Sequence, residues 1–215
     1  MKGILFTWIN TAFEAFDYSI DFIIWNSFLA FIPLVLSIWL FRKSRSRSWI
    51  WWLSFLTFLV FLPNSPYVLT DIVHLIELIR FGYSVWIVTL ILIPQYLIFI
   101  LAGVEAYVIS LINLGYYLHQ EGKKQYIFWV EIIIHALCAI GIYLGRFKRF
   151  NSWDFITQPD NVFKSIADDL TTKYPLAVIF ITFLVLTILY WLLKQVNLGL
   201  ILQLRYQNSS SRKEE

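Results

Sequence analysis

The sequence predicts an all-α fold: a polytopic integral membrane helical bundle with about five transmembrane helices and an amphipathic helix at the outer face. Three observations carry that prediction. Of 215 residues, 59% are hydrophobic and 14% charged, where a soluble domain carries about 25% charged residues. The mean hydropathy of +0.68 means more apolar surface than a soluble core of this length buries. The apolar residues also fall into uncharged runs of about 20 residues, the length that crosses a bilayer as a helix. Such a composition excludes a soluble enzyme, a disordered chain and a nucleic-acid binder. The single cysteine, Cys138, excludes an intramolecular disulfide and a cysteine-rich metal site.

Residues 1–19 read as an N-terminal interfacial segment. The apolar stretch 3–13 is too short to span and runs into Glu14, Asp17 and Asp21, and it lacks the cleavage pattern of a signal peptide. A membrane-embedded helical bundle is expected over 20–204. Its first span is the uncharged run 22–41, of 20 residues, and its second begins in the 23-residue run 48–70. Pro63 and Pro66 remove backbone donors and are expected to end the second helix. Ser65 ahead of Pro66 predicts the N-cap and first position of a new helix. On that helix Thr70, Asp71, His74 and Glu77 fall within an arc of about 120°, a narrow polar stripe among Val, Leu and Ile.

The third run, 81–118, holds 38 residues and one charge, Glu105. It exceeds one crossing at about 1.5 Å per residue, yet Pro94 and Gly103 are its only breakers away from the ends. One long, tilted or kinked helix is expected, with a sixth span as the alternative. The fourth span, 126–145, carries Glu131 and His135, and the fifth, 174–193, is 20 residues without a charge. Residues 205–215 read as a disordered polar cytoplasmic tail.

Arg42, Lys43, Arg45 and Arg47 share one short loop with no acidic residue, which predicts a cytoplasmic loop. Alternation then places the N-terminus outside and the C-terminus in the cytoplasm of a multi-pass cell-membrane protein. Membrane lipids are the expected partners, with other membrane proteins a further class, and nucleic acid is not.

Two segments are dense in polar groups. In the first, Asn64 and Tyr67 precede the stripe, where Asp71 and His74 at i, i+3 are able to orient one another or share a cation. The plain alternative is an amphipathic helix whose stripe meets solvent. In the second, Arg146, Lys148 and Arg149 end the fourth helix, where cations complement the helix dipole and anchor to lipid phosphates. Asn151, Ser152, Trp153 and Asp154 add hydrogen-bonding groups that anchoring does not need. Arg146 is expected to pair with Asp71 or Asp154, or to grip an anionic headgroup. Both segments should emerge on the outer side and form one site. Its binding residues are Asn64, Tyr67, Arg146, Arg149, Asn151 and Trp153; its candidate catalytic groups are Asp71, His74 and Asp154.

The pattern of Pro63, Asn64, Pro66, Tyr67, Thr70, Asp71 and His74, followed by Gly145, Arg146, Asn151, Ser152, Trp153 and Asp154, resembles a bacterial family of multi-pass membrane proteins. That family is the domain of unknown function 1361, and the resemblance covers roughly residues 25–191. The family's aromatic-plus-Asp pair before the third helix has no counterpart here, where the segment 81–86 lacks Asp. The resemblance implies a membrane fold and points to the same residues; it implies no activity.

Glu105, Glu131 and His135 lie within or at the ends of spans, where charge is costly and takes a partner. Glu131 and His135, at i, i+4, share a face and are expected to hydrogen-bond each other as a packing lock. Glu105 and Glu131 lie at similar depth, so the alternative is a facing pair that serves a proton relay or cation. With three histidines and no metal-ligand spacing, neither a metal nor a cofactor is expected. Three functions remain open: a membrane accessory or assembly protein with an outer-face polar site, which the features favour; an enzyme acting on a lipid or isoprenoid-phosphate headgroup; and a small transporter or proton relay.

Overall fold

The computed structural model describes residues 2–44 and 46–214, and the side chains of residues 6–44, 46–154 and 157–204. Arg45 of the basic loop and Glu215 lie outside the described residues. Among the described residues every regular element is a helix. Five helical units, Phe6–Lys43, Trp49–Arg80, Val85–Gln120, Lys124–Phe147 and Lys173–Leu204, are long and apolar enough to cross a membrane.

The first unit is α1 (Lys2–Ile38), closed by a π turn, Trp39–Lys43. The stretch expected as a separate interfacial segment is therefore the beginning of α1. Ala12 and Ala15 are buried there and join a core cluster with Leu78, Ile87 and Tyr96. Two small residues one turn apart let that part of α1 approach its neighbours, which an independent surface helix would not do.

The second unit starts at α2 (Trp49–Phe61), whose first turn is capped by the Ser48 side chain accepting from the Trp51 N–H. It continues through α3 (Asn64–Tyr67), a 3₁₀ turn (Val68–Asp71) and α4 (Ile72–Arg80). The two prolines were expected to end the helix; α2 does end at Phe61, but the interruption lasts only through Leu62 and Pro63 before helix resumes at Asn64. Leu62 and Pro63 keep right-handed helical dihedrals (φ −55°, ψ −38° and φ −59°, ψ −24°), a φ that the pyrrolidine ring itself imposes. Ser65 is accordingly not an N-cap; its buried hydroxyl donates to the Ala30 carbonyl at 2.6 Å and ties the bend to α1.

The third unit is one continuous helix, as the run length predicts. It comprises α5 (Val85–Ile87), a π turn (Val88–Leu92) and α6 (Ile93–Gln120). The π turn lies immediately before Pro94, whose missing N–H and bulky ring a wider turn accommodates. After a 3₁₀ turn (Lys124–Tyr126) comes α7 (Ile127–Phe147). A short α8 (Asp154–Thr157) and an amphipathic α9 (Pro159–Leu170) then lead to α10 (Lys173–Glu214). The backbone of α10 runs on as helix through 205–214, where a disordered tail was expected.

What positions the polar segments is how deeply the bend 62–71 is wedged. α1 packs against α2, α3 and α6, α10 packs on α7, and α3 touches both α6 and α7. Glycines make that approach possible. A Cβ on Gly103 would lie 2.6 Å from Val68 Cγ2 and 2.9 Å from the Ser65 carbonyl oxygen, and one on Gly141 would lie 2.8 Å from the Pro63 ring. Real Cβ atoms do not come that close, so the bend contacts bare backbone on two neighbouring helices.

Candidate functional site

The 3₁₀ stretch Val68–Asp71 departs from α-helical bonding, and backbone carbonyls freed by such departures must find other donors. Arg146, in the last turn of α7, supplies one: its Nη2 donates to the Thr70 carbonyl at 2.8 Å. Its Nη1 stands 3.5 Å from Asp71 Oδ1, and the Asp71 side chain is 1% exposed. The other carboxylate oxygen accepts from Asn26 Nδ2 on α1 at 3.0 Å. Three units of the bundle thus meet on one buried carboxylate. Of the two predicted carboxylate partners for Arg146, the structure selects Asp71.

The predicted Asp71–His74 pair is not formed. His74 Nδ1 lies 3.2 Å from Glu77 Oε2, and its ring stacks at a tilt on Phe22 with centroids 5.1 Å apart. Asp71 points into the bundle while His74 and Glu77 follow the helix toward its exposed side, so the i, i+3 spacing places them near each other without joining them. Asp154 is also elsewhere than expected. Its Oδ2 accepts from the Asn151 N–H at 2.6 Å, the backward-reaching half of a capping box, and Oδ1 accepts from the Thr157 hydroxyl at 3.4 Å. It fixes the loop that follows α7 and lines neither cavity described below.

That loop leaves α7 through Arg149, which has φ 59°, the sole positive φ among described non-glycine residues. A left-handed residue is how a helix commonly ends; here the position is filled by arginine rather than glycine. Lys148 reaches Asp169 on α9 at 3.0 Å, and the Asp169 carboxylate beside it raises the Lys148 pKa above the ordinary lysine value. The loop then turns back over the bend, where Asn64 Nδ2 donates to the Phe61 carbonyl at 2.9 Å and to Ser152 Oγ at 2.8 Å. Gly145 faces Tyr67, which a Cβ there would meet at 3.1 Å.

Two cavities result, sharing Asn26 and Tyr67 as a wall. The first, of about 300 Å³, is an open cleft lined by Trp25, Asn64, Arg149, Asn151, Ser152 and Trp153 among others, with Trp25, Arg149, Asn151 and Trp153 exposed at its rim. Its one charged lining residue is Arg149, and no carboxylate is among its described lining. The second, of about 480 Å³, contains Asp71, His74, Glu77 and Arg146 together with Tyr18, Phe22, Phe81, Tyr83 and Tyr96. Both fall within or close to the volumes of small-molecule sites, about 300–1,000 Å³. The two polar segments therefore do converge, through a different set of contacts from the one expected.

The Tyr96 hydroxyl adds a further feature to the second cavity. Tyr96 and Ser19 are both fully buried, and their hydroxyls are each other's polar neighbours, joining α1 to α6 behind the cavity.

The intramembrane polar residues are arranged differently from the predicted lock. Glu131 does not pair with His135 or face Glu105. Its Oε1 accepts from Tyr190 Oη at 2.6 Å and from Lys194 Nζ at 2.5 Å, both on α10. His135 Nδ1 instead meets the Tyr107 hydroxyl of α6 at 2.5 Å. Glu105 sits half-buried on α6. These residues lock α6, α7 and α10 together, away from the two cavities.

Asn26 and Lys194 are the polar partners that sequence reasoning missed. Asn26 lies in the uncharged first span, where a lone amide signals an interhelical hydrogen bond but does not name its acceptor. Lys194 follows the fifth run directly and stands one turn beyond Tyr190, which was its available signal. Helix α9 had a signal too: Pro159 at the first turn and Val162, Ile166 and Leu170 at spacings of four.

Neither a curated protein nor a solved structure matches this chain. The family described as "Protein of unknown function (DUF1361)" matches residues 25–188, a stretch that contains both polar segments and the lining of both cavities apart from Tyr18 and Phe22, and the chain belongs to that family.

Proposed function

We propose that this protein is a membrane accessory protein whose working element is an outer-face site for an anionic, phosphate-type headgroup. The observation that carries this reading is the first cavity: both polar segments build it, and Arg149 is the one charge in its described lining. Among the described residues Arg149 has no ion-pair partner, unlike Arg146 with Asp71 and Lys148 with Asp169. The Asn151 amide and the Ser152 hydroxyl line the same cavity as donors, Asn64 holds Ser152 in place, and Trp25 and Trp153 give the mouth the aromatic character of a membrane–water boundary. The enzyme reading has less support. Asp71 is committed to Arg146 and Asn26, and His74 to Glu77, so the acid–base pair it requires is divided between two sets of contacts.

An outward orientation of this end follows from the basic residues Arg42, Lys43 and Arg47 at the far end of α1. In intact cells, a cysteine at Ser152 is expected to react with a membrane-impermeant maleimide and one at Ser46 to stay unlabelled. The reverse pattern would invert the topology.

The binding test compares short-chain phosphatidic acid with diacylglycerol of the same chains, using native mass spectrometry of the purified protein. Phosphatidic acid should bind in preference to diacylglycerol, and Arg149→Gly should lower its affinity roughly tenfold or more, the value of a charge-assisted hydrogen bond. Glycine relieves the left-handed backbone at this position, so misfolding does not explain a loss. Equal binding of the two lipids, or no effect of Arg149→Gly, would overturn the proposal.

A further inference from the structure

Resting on that reading, we infer that the headgroup is zwitterionic: its phosphate sits at Arg149 and a tethered ammonium occupies the adjoining aromatic cavity, as in a phosphoethanolamine ester. The two compartments share a wall at Asn26 and Tyr67 but have opposite chemistry. One has a cation and no described carboxylate. The other has two carboxylates, Asp71 and Glu77, against the single fixed cation Arg146. Arg146 is itself matched to Asp71, which leaves Glu77 with only His74 beside it.

The rings of the second cavity point to the same class of ligand. Tyr18, Phe22, Phe81, Tyr83 and Tyr96 all line it. Phe22 and Tyr96 lie with centroids 6.0 Å apart, and Phe81 and Tyr83 5.7 Å apart. Clustered aromatic faces next to carboxylates attract an ammonium through their quadrupoles. A bare anion would meet Glu77 and gain nothing from the rings. An uncharged molecule would leave Arg149 unpaired. Adjacent compartments of opposite preference fit one molecule that carries both charges.

The experiment is a titration of the full chain in neutral detergent with phosphatidylethanolamine and phosphatidic acid of identical short chains, read by native mass spectrometry. Phosphatidylethanolamine is expected to bind about tenfold more tightly than phosphatidic acid. Glu77→Gln and Tyr83→Leu should each narrow that ratio several-fold. Glu77 is a safe position to change because its side chain is 66% exposed. If both lipids bind with equal affinity, the zwitterion inference is overturned while the anionic site stands. If neither binds, the anionic site itself falls. Glycerophosphoethanolamine carries the same two charges without acyl chains. Its displacing the bound lipid supports the paired charges and a soluble source for the ligand; lipid binding that it cannot displace, with the lipid ratio still narrowed by Glu77→Gln, supports a membrane source.

Discussion

Asp71→Leu is expected to abolish recovery of folded protein, whereas the double variant Asp71→Leu/Arg146→Leu should regain most of it. The Asp71 side chain is 1% and the Arg146 side chain 19% exposed, so removing the carboxylate leaves a guanidinium in a poorly solvated place. Breaking a buried pair on one side costs about 3–5 kcal/mol, while replacing both partners with apolar groups is often neutral or favourable. Against a total stability of about 5–15 kcal/mol, the single change is near the limit of what a fold tolerates. Asn26 loses its acceptor in both variants, and the double variant also leaves the Thr70 carbonyl without its Arg146 donor, so any recovery it shows comes from removing the unpaired charge. Thermal unfolding followed by size-exclusion chromatography in detergent provides the readout. Wild-type behaviour of the Asp71→Leu protein would mean that Arg146 reaches water or lipid phosphate, and that the three-unit junction does not hold the bend.

The junction also shows which parts of the molecule were legible in the sequence. Run length and charge placement in a bilayer-spanning chain are one-dimensional quantities, and they gave five long helices and the single unit over Val85–Gln120. Lateral neighbours are not one-dimensional. That Glu131 lies inside a span was readable, but its partner was not: its carboxylate sits beside Gly115 of α6 rather than Glu105, and packing of α7 against α10 brings Lys194 to it. The prolines carried a similar ambiguity. A missing N–H predicts an interruption, yet whether the helix ends or bends depends on donors elsewhere, here Ser65 to Ala30 and Arg146 to Thr70. Gly103 and Gly141 were visible only as weak helix formers; their role as bare surfaces against Val68, Ser65 and Pro63 is a property of the assembled bundle.

The cavities follow from the same bend. Had the prolines ended the helix cleanly, Asn64 and Tyr67 would lie in a solvated loop with no fixed relation to Arg149. Because the chain stays helical and is pinned by three neighbours, the residues of the first polar segment are held as a rigid wall. The loop after α7 closes over that wall through Asn64 and Ser152. Rigidity of this kind suits a binding site, since a preorganised pocket loses little conformational freedom on association.

Charge reversal at Glu131 is expected to be the most damaging single change away from the cavities. Glu131 is 12% and Lys194 22% exposed at the side chain, 2.5 Å apart, with the Tyr190 hydroxyl on the same carboxylate oxygen. Glu131→Lys would set two ammonium groups in one niche between α7 and α10, and should cost on the order of 3 kcal/mol. Glu131→Leu leaves Lys194 unpaired but free to extend along its stem toward the boundary, so its yield of monodisperse protein should fall less. The exchange Glu131→Lys/Lys194→Glu restores opposite charges, and the Tyr190 hydroxyl can accept from the lysine as readily as it now donates to the carboxylate. That variant should recover most of the loss. Equal yields for the Lys and Leu variants, with no rescue by the exchange, would show that this pair is solvated and contributes nothing to holding α10 against α7.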